Sequence, residues 1–182
     1  MTLLEKTDDH VINVLFLCPG NDGPSLIAES LLHCAGGGRY WAYSAGSCPA
    51  DEADPLALET LRDAGLPTGD LRPKDWTLFT RSGAPKMDLI VSLTPFIPYG
   101  ILPAFPGQPF IASWSVDDLT RPRNSTEDRK AAFKDMLREI EARVIRLDKD
   151  GEAGLPQPVA GARFGDLGCP NLEQGGLGVN PG

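Results

Sequence analysis

Residues 11–25 read Val11-Ile-Asn-Val-Leu-Phe-Leu-Cys18-Pro-Gly-Asn-Asp-Gly-Pro-Ser25. The stretch up to Leu17 is a nearly continuous apolar run with β-branched members, the pattern of a parallel strand buried on both faces. A turn over residues 18–24 follows. From Ser25 to Ala35, Leu26, Ala28, Leu31 and Leu32 then give a helical apolar face, which Gly36, Gly37 and Gly38 end. Strand, tight turn and helix make the first half of a βαβ unit.

Outward from this unit the alternation continues. Residues 40–44 suit a second short strand. Asp54 and Pro55 then supply an N-cap and a first-turn proline for a helix through Leu58, Leu61 and Ala64, closed by Gly65. Residues 74–79 suit a short helix, and residues 88–93 and 109–114, rich in Ile, Val, Phe and Trp, read as two more strands. Ser125 with Asp128 resembles a capping box. Behind it Phe133, Met136, Leu137, Ile140, Val144 and Leu147 recur at steps of three and four, the clearest amphipathic helix in the chain. Strands alternating with helices predict an α/β fold of three layers, a four-stranded parallel sheet with helices on both faces.

The chain has 182 residues, enough for one substantial core. Residues 1–10 are read as an N-terminal extension and residues 11–150 as the domain. Residues 151–182, rich in glycine and proline and poor in large apolar side chains, are read as a tail with too little apolar surface to offset the entropy of ordering. The formal charge of -8 argues against a nucleic-acid partner. No apolar run is long enough to cross a bilayer, and the charged first ten residues do not suit a signal peptide, so no membrane association and a cytoplasmic location are expected. Cys18, Cys34, Cys48 and Cys169 show no Cys-x-x-Cys spacing; free thiols are expected, with no metal and no cofactor.

The turn after the first strand holds the chemistry, because ligands of open α/β sheets bind at the carboxyl ends of strands, where a helix amino terminus favours an anion. Val14-Leu-Phe-Leu-Cys18-Pro-Gly-Asn21, followed by Ser25 and Ala28-Glu29-Ser30, resembles the opening of the low-molecular-weight protein-tyrosine phosphatase and arsenate-reductase superfamily. Tyr43-Ser44-Ala45-Gly46 with Pro49, Gly65-Leu66, Arg72-Pro73-Lys74 and Met87-Asp88-Leu89-Ile90-Val91 resemble its later segments in order. Pro103-Ala-Phe-Pro106-Gly107-Gln108-Pro109, with Trp114 and Asp118, is similar to the arsenate-reductase branch. The resemblance implies a loop of Gly20, Asn21, Asp22, Gly23, Pro24 and Ser25 around a nucleophile at Cys18, with Ser44 supporting the loop and Asp118 at the general-acid position.

Active members carry an arginine where this chain has Pro24. Proline removes both the guanidinium fork and a backbone donor. Asp22 adds a carboxylate that repels an oxyanion and raises the thiol of Cys18, when the reaction needs it lowered. Thr94 and Leu102 stand where the resemblance implies relay cysteines, and Leu119 replaces the proline expected after the acid. The leading expectation is a catalytically degenerate binding or regulatory module whose partner is an oxyanion such as phosphate or arsenate, or a protein. The alternative is an active arsenate reductase or phosphatase that uses Cys18 with Arg72, Arg81, Arg121 or Arg123 as a substitute clamp. A third is a thiol site for soft metalloids or oxidants at Cys18. His10 and His33 are read as having no ligand or base role, and Trp41, Trp76 and Trp114 as packing residues.

Overall fold

The computed structural model describes residues 11–94, 102–116 and 125–150. Asp118, Arg121, Arg123, His10, Cys169 and the tail at 151–182 lie outside these residues. The elements follow the expected order: β1 (Ile12–Leu17), α1 (Pro24–Ala35), β2 (Tyr40–Ala45), α2 (Pro55–Asp63), a 3₁₀ helix (Trp76–Phe79), β3 (Leu89–Ser92), β4 (Phe110–Ser113) and α3 (Thr126–Asp150). The strands form one sheet in the order β2-β1-β3-β4, and every pairing is parallel. Among the described residues no helix is long and apolar enough to cross a membrane.

The continuous apolar run of β1 is explained by its central place. Val14 and Phe16 face one side and Leu15 and Leu17 the other, and all four are wholly buried. On the first side α1, α2 and α3 contribute Ile27, Leu31, Leu61, Phe133, Met136 and Ile140 to a single cluster. Trp114, just past β4, seals this cluster with its ring 5.7 Å from that of Phe16. The second side is covered more thinly, by Phe79 of the 3₁₀ helix together with Met87 and Phe105. Helical cover on both faces was expected; its inequality, three α-helices against one 3₁₀ helix, was not.

The local signals hold as read. Asp54 caps α2 by accepting from the Leu56 N–H at 2.9 Å, and Ser125 caps α3 by accepting from the Asp128 N–H at 3.1 Å. Pro24 opens α1 in the first turn, where a missing N–H costs no helical bond. One packing expectation fails: Trp41 lies on the edge strand β2 and is 59% exposed, so it is not a core residue. Cys18 and Cys34 are free, whereas Cys48 is disulfide-bonded, a departure from the expectation of free thiols.

Candidate anion-binding loop

The loop lies at the carboxyl end of β1, beside the end of β2. The register pairs Phe16 with Ser44 and Leu17 with Ala45, which sets the Ser44 hydroxyl directly under the turn. Gly46, just past β2, is required by close approach: a Cβ there would stand 2.4 Å from the Pro19 carbonyl oxygen and 3.0 Å from that of Cys18. Backbone bonds then hold the loop from outside. The N–H groups of Cys48, Ala50 and Asp54 donate to the carbonyls of Pro19, Gly20 and Asp22 at 2.9, 2.9 and 2.8 Å.

Inside the loop Asn21 organises the side chains. It is wholly buried and adopts a positive φ of 46°, a conformation that asparagine tolerates better than most residues. Its amide nitrogen donates to the hydroxyls of Ser25 at 2.7 Å and Ser44 at 2.9 Å, and its carbonyl oxygen accepts from the Lys74 N–H at 2.7 Å. Ser25 in turn meets the Cys18 sulfur at 2.9 Å. Behind Ser44 stands an ion pair. Lys74 Nζ donates to Glu29 at 3.1 Å, to the Ser44 hydroxyl at 3.3 Å and to the Arg72 carbonyl at 3.0 Å, while Ser44 donates to the same Glu29 oxygen. One continuous chain of polar contacts therefore runs from a largely buried carboxylate–ammonium pair to the thiol.

The electrostatics disfavour a thiolate. Burial pushes the Cys18 thiol up, the hydroxyl of Ser25 and the N–H groups of Ser25 and Asn21 pull it part of the way back, and the nearby Asp22 carboxylate pushes it up again. The sequence reading anticipated the sign of Asp22's effect, but burial is the larger cause. Cys18 is 2% exposed. Asp22 itself is raised, first by burial and then by the charge of Asp54, against its own backbone N–H and the Arg129 guanidinium.

Cys18, Gly20, Asn21, Asp22, Gly23, Pro24, Ser25 and Ser44 lie together at this turn, and Asp118 falls outside the described residues. Arg72 and Arg81 expose their side chains to solvent, as does His33. Leu102 packs against the second core cluster. Glu29, Lys74 and Arg129 were missed as site residues. A lysine in a chain of this charge is ordinarily a solvated surface group, yet the Lys74 side chain is only 17% exposed. Its one legible signal was its place in the Arg72-Pro73-Lys74 segment. Arg129, on the first turn of α3, pairs with Asp54, and nothing in the local sequence ties it to a loop a hundred residues earlier. Among the described residues no cluster of three or more His, Cys, Asp or Glu side chains suits a metal ion.

Comparison with known proteins matches residues 13–104 to the family described as low molecular weight phosphotyrosine protein phosphatase. The chain is 26% identical over 139 residues to an arsenate reductase of Halalkalibacterium halodurans, covering 76% of this chain and 96% of that protein. Among solved structures it is similar to the thioredoxin-dependent arsenate reductase of Corynebacterium glutamicum, with 26% identity and a TM-score of 0.57. That alignment covers 82% of this chain but only 66% of the other, just under two thirds of its length. Wzb of Vibrio vulnificus, solved with benzylphosphonate, shares the fold with a TM-score of 0.60 at 18% identity, covering 78% of this chain and 99% of that one.

Proposed function

We propose that this chain, which belongs to the low molecular weight phosphotyrosine protein phosphatase family, keeps the loop scaffold but not efficient phosphoryl or arsenate chemistry, and serves as a binding or regulatory module. One observation carries this reading. The turn that cradles the thiol has Pro24 where a guanidinium is needed, and a carboxylate, Asp22, close enough to raise a thiol that is already buried.

Oxyanion transfer by a cysteine needs a thiolate, a planar cationic clamp on the equatorial oxygens and backbone donors for the rest. Only the last survives in full view, in the N–H groups of Asn21 and Ser25 that face the sulfur. A missing electrostatic stabiliser commonly costs ~10²–10³ in rate, and a neutral thiol at physiological pH adds to that loss. The ligand class that fits is a protein partner or a weakly held oxyanion.

The test is turnover by the purified full chain, with an aryl phosphate and, separately, with arsenate and a thiol reductant. The expected result is a rate far below the usual enzyme range of roughly 1–10³ s⁻¹, and no change in Cys18→Ser. Turnover within that range that disappears in Cys18→Ser overturns the reading. It would favour the active alternative, for which the likeness to two arsenate reductases speaks.

A further inference from the structure

Trp41 leaves a large apolar ring 59% exposed on β2, whose outer edge pairs with no other strand among the described residues. The register sets it opposite Asn13, on the face of Leu15 and Leu17, where the sheet's cover is thin. Two residues on, Tyr43 packs into that face and meets the Phe79 ring edge-on, with centroids 5.6 Å apart. Trp41 therefore extends a buried apolar row past the end of its cover. An exposed indole continuous with a core, beside an open strand edge, is a surface that gains by being covered.

Two features direct the same piece of chain to this place. The first is where α3 ends. The Tyr40 hydroxyl donates to the Leu147 carbonyl at 3.3 Å and Arg39 pairs with Asp148, so the chain leaves α3 at the start of β2, close to Trp41. The second is Cys48, just past the other end of β2, which is disulfide-bonded. The chain has four cysteines, and Cys18 and Cys34 are free, so elimination leaves Cys169 as its partner. Length permits the connection: from Tyr40 to Cys48 the chain covers at most about 30 Å, and residues 151–169 can stretch to about 60 Å. Leu155, Val159, Phe164 and Leu167 lie within that segment.

We infer that residues 151–169 form a strap docked over Trp41 and the open edge of β2, fastened by a Cys48–Cys169 disulfide and released when that bond is reduced. The segment has too little apolar surface to order by itself, but fixing both of its ends makes docking an intramolecular event and lowers its entropic cost. Release needs a dithiol: the S–S bond takes up two electrons and two protons to give two thiols, and the dithiol closes its own disulfide. A reducing compartment therefore bares Trp41 and an oxidising one covers it. The strap is anchored beside the anion loop, since the Cys48 N–H donates to the Pro19 carbonyl at 2.9 Å, yet it holds whether or not that loop is catalytic.

The experiment compares the full chain oxidised with glutathione disulfide and the same chain reduced with dithiothreitol. Peptide mapping of the oxidised chain without reduction is expected to join the peptide holding Cys48 to the one holding Cys169. Trypsin is expected to cut after Arg163 roughly tenfold or more slowly in the oxidised chain, because the docked segment must open first. Acrylamide quenching of the Trp41 emission, taken as the difference from Trp41→Phe, is expected to rise on reduction. Cys169→Ser, which leaves residues 11–150 unaltered, should resemble the reduced chain under both conditions, and Cys48→Ser should do the same where circular dichroism shows it folded. Cys48 that is freely alkylated in the oxidised chain, or joined to Cys18, Cys34 or a second copy, overturns the inference. So does a Cys48–Cys169 bond that leaves both the cut after Arg163 and the quenching of Trp41 unchanged. Protection of Trp41 that follows chain concentration and not Cys169 would give the face to a second copy, and also overturns it.

Discussion

Replacing Asn21 with alanine is expected to lower stability by about 3–5 kcal/mol, measured as a loss in denaturant unfolding free energy at unchanged m. Three hydrogen bonds, two buried and one part-buried, vanish at once. The hydroxyls of Ser25 and Ser44 lose the Asn21 donor, and the Lys74 N–H loses its acceptor. An unsatisfied buried group costs ~1–3 kcal/mol, and alanine held at the positive φ of 46° adds strain of order 1 kcal/mol. Asn21→Gly separates the two terms: it relieves the strain and keeps the lost bonds, so it should recover about 1 kcal/mol of the deficit. For a domain of this size the alanine variant should melt roughly 10 °C or more below wild type. A loss under about 1 kcal/mol would mean that the loop is held by its outer backbone bonds alone.

The second large effect concerns the ion pair behind the loop. Lys74→Met leaves Glu29 without its cation in a site where the two side chains are only 17% and 18% exposed. Breaking a fully buried pair costs ~3–5 kcal/mol; with this residual exposure about 2–4 kcal/mol is expected. Removing both charges, as Lys74→Met/Glu29→Gln, should cost less than Lys74→Met alone, since no uncompensated carboxylate remains. Because Ser44 bonds to both Glu29 and Asn21, the single variant should also loosen the loop, seen as faster amide exchange at Asn21 and Ser25. A double variant as unstable as the single one would assign the effect to lost packing and not to charge.

Much of this fold was legible before any coordinates, and for identifiable reasons. β1 is central, so its run of apolar residues from Val14 to Leu17 had no polar interruption to confuse. α3 is long and half-exposed, so its period stood out, and both α2 and α3 begin at side-chain caps. The thin cover of the sheet's second face was not legible. A 3₁₀ helix and scattered residues such as Met87 and Phe105 have no periodicity to detect. Trp41 was misread because an aromatic in a strand usually packs, whereas an edge strand leaves one side open.

The loop divides in the same way. Residues contiguous with Cys18 could be placed by strand-turn-helix logic, and Ser44 by its segment's likeness to the family. Glu29, Lys74, Asp54 and Arg129 act on the loop through tertiary contacts from four separate places, and charge alone gave no reason to pull them out of the solvated surface. Asp22 was recognised as adverse from its type. Its folding back over Gly20 needed coordinates.

The most direct measurement is a titration of the wild-type chain with orthovanadate, which mimics the five-coordinate state of phosphoryl transfer and binds competent sites far more tightly than substrate does. A loop with no guanidinium, a neutral buried thiol and its own carboxylate in place predicts no saturable binding up to millimolar concentration, with identical behaviour in Cys18→Ser. Micromolar binding that is lost in Cys18→Ser would contradict this and establish a working oxyanion-transfer site.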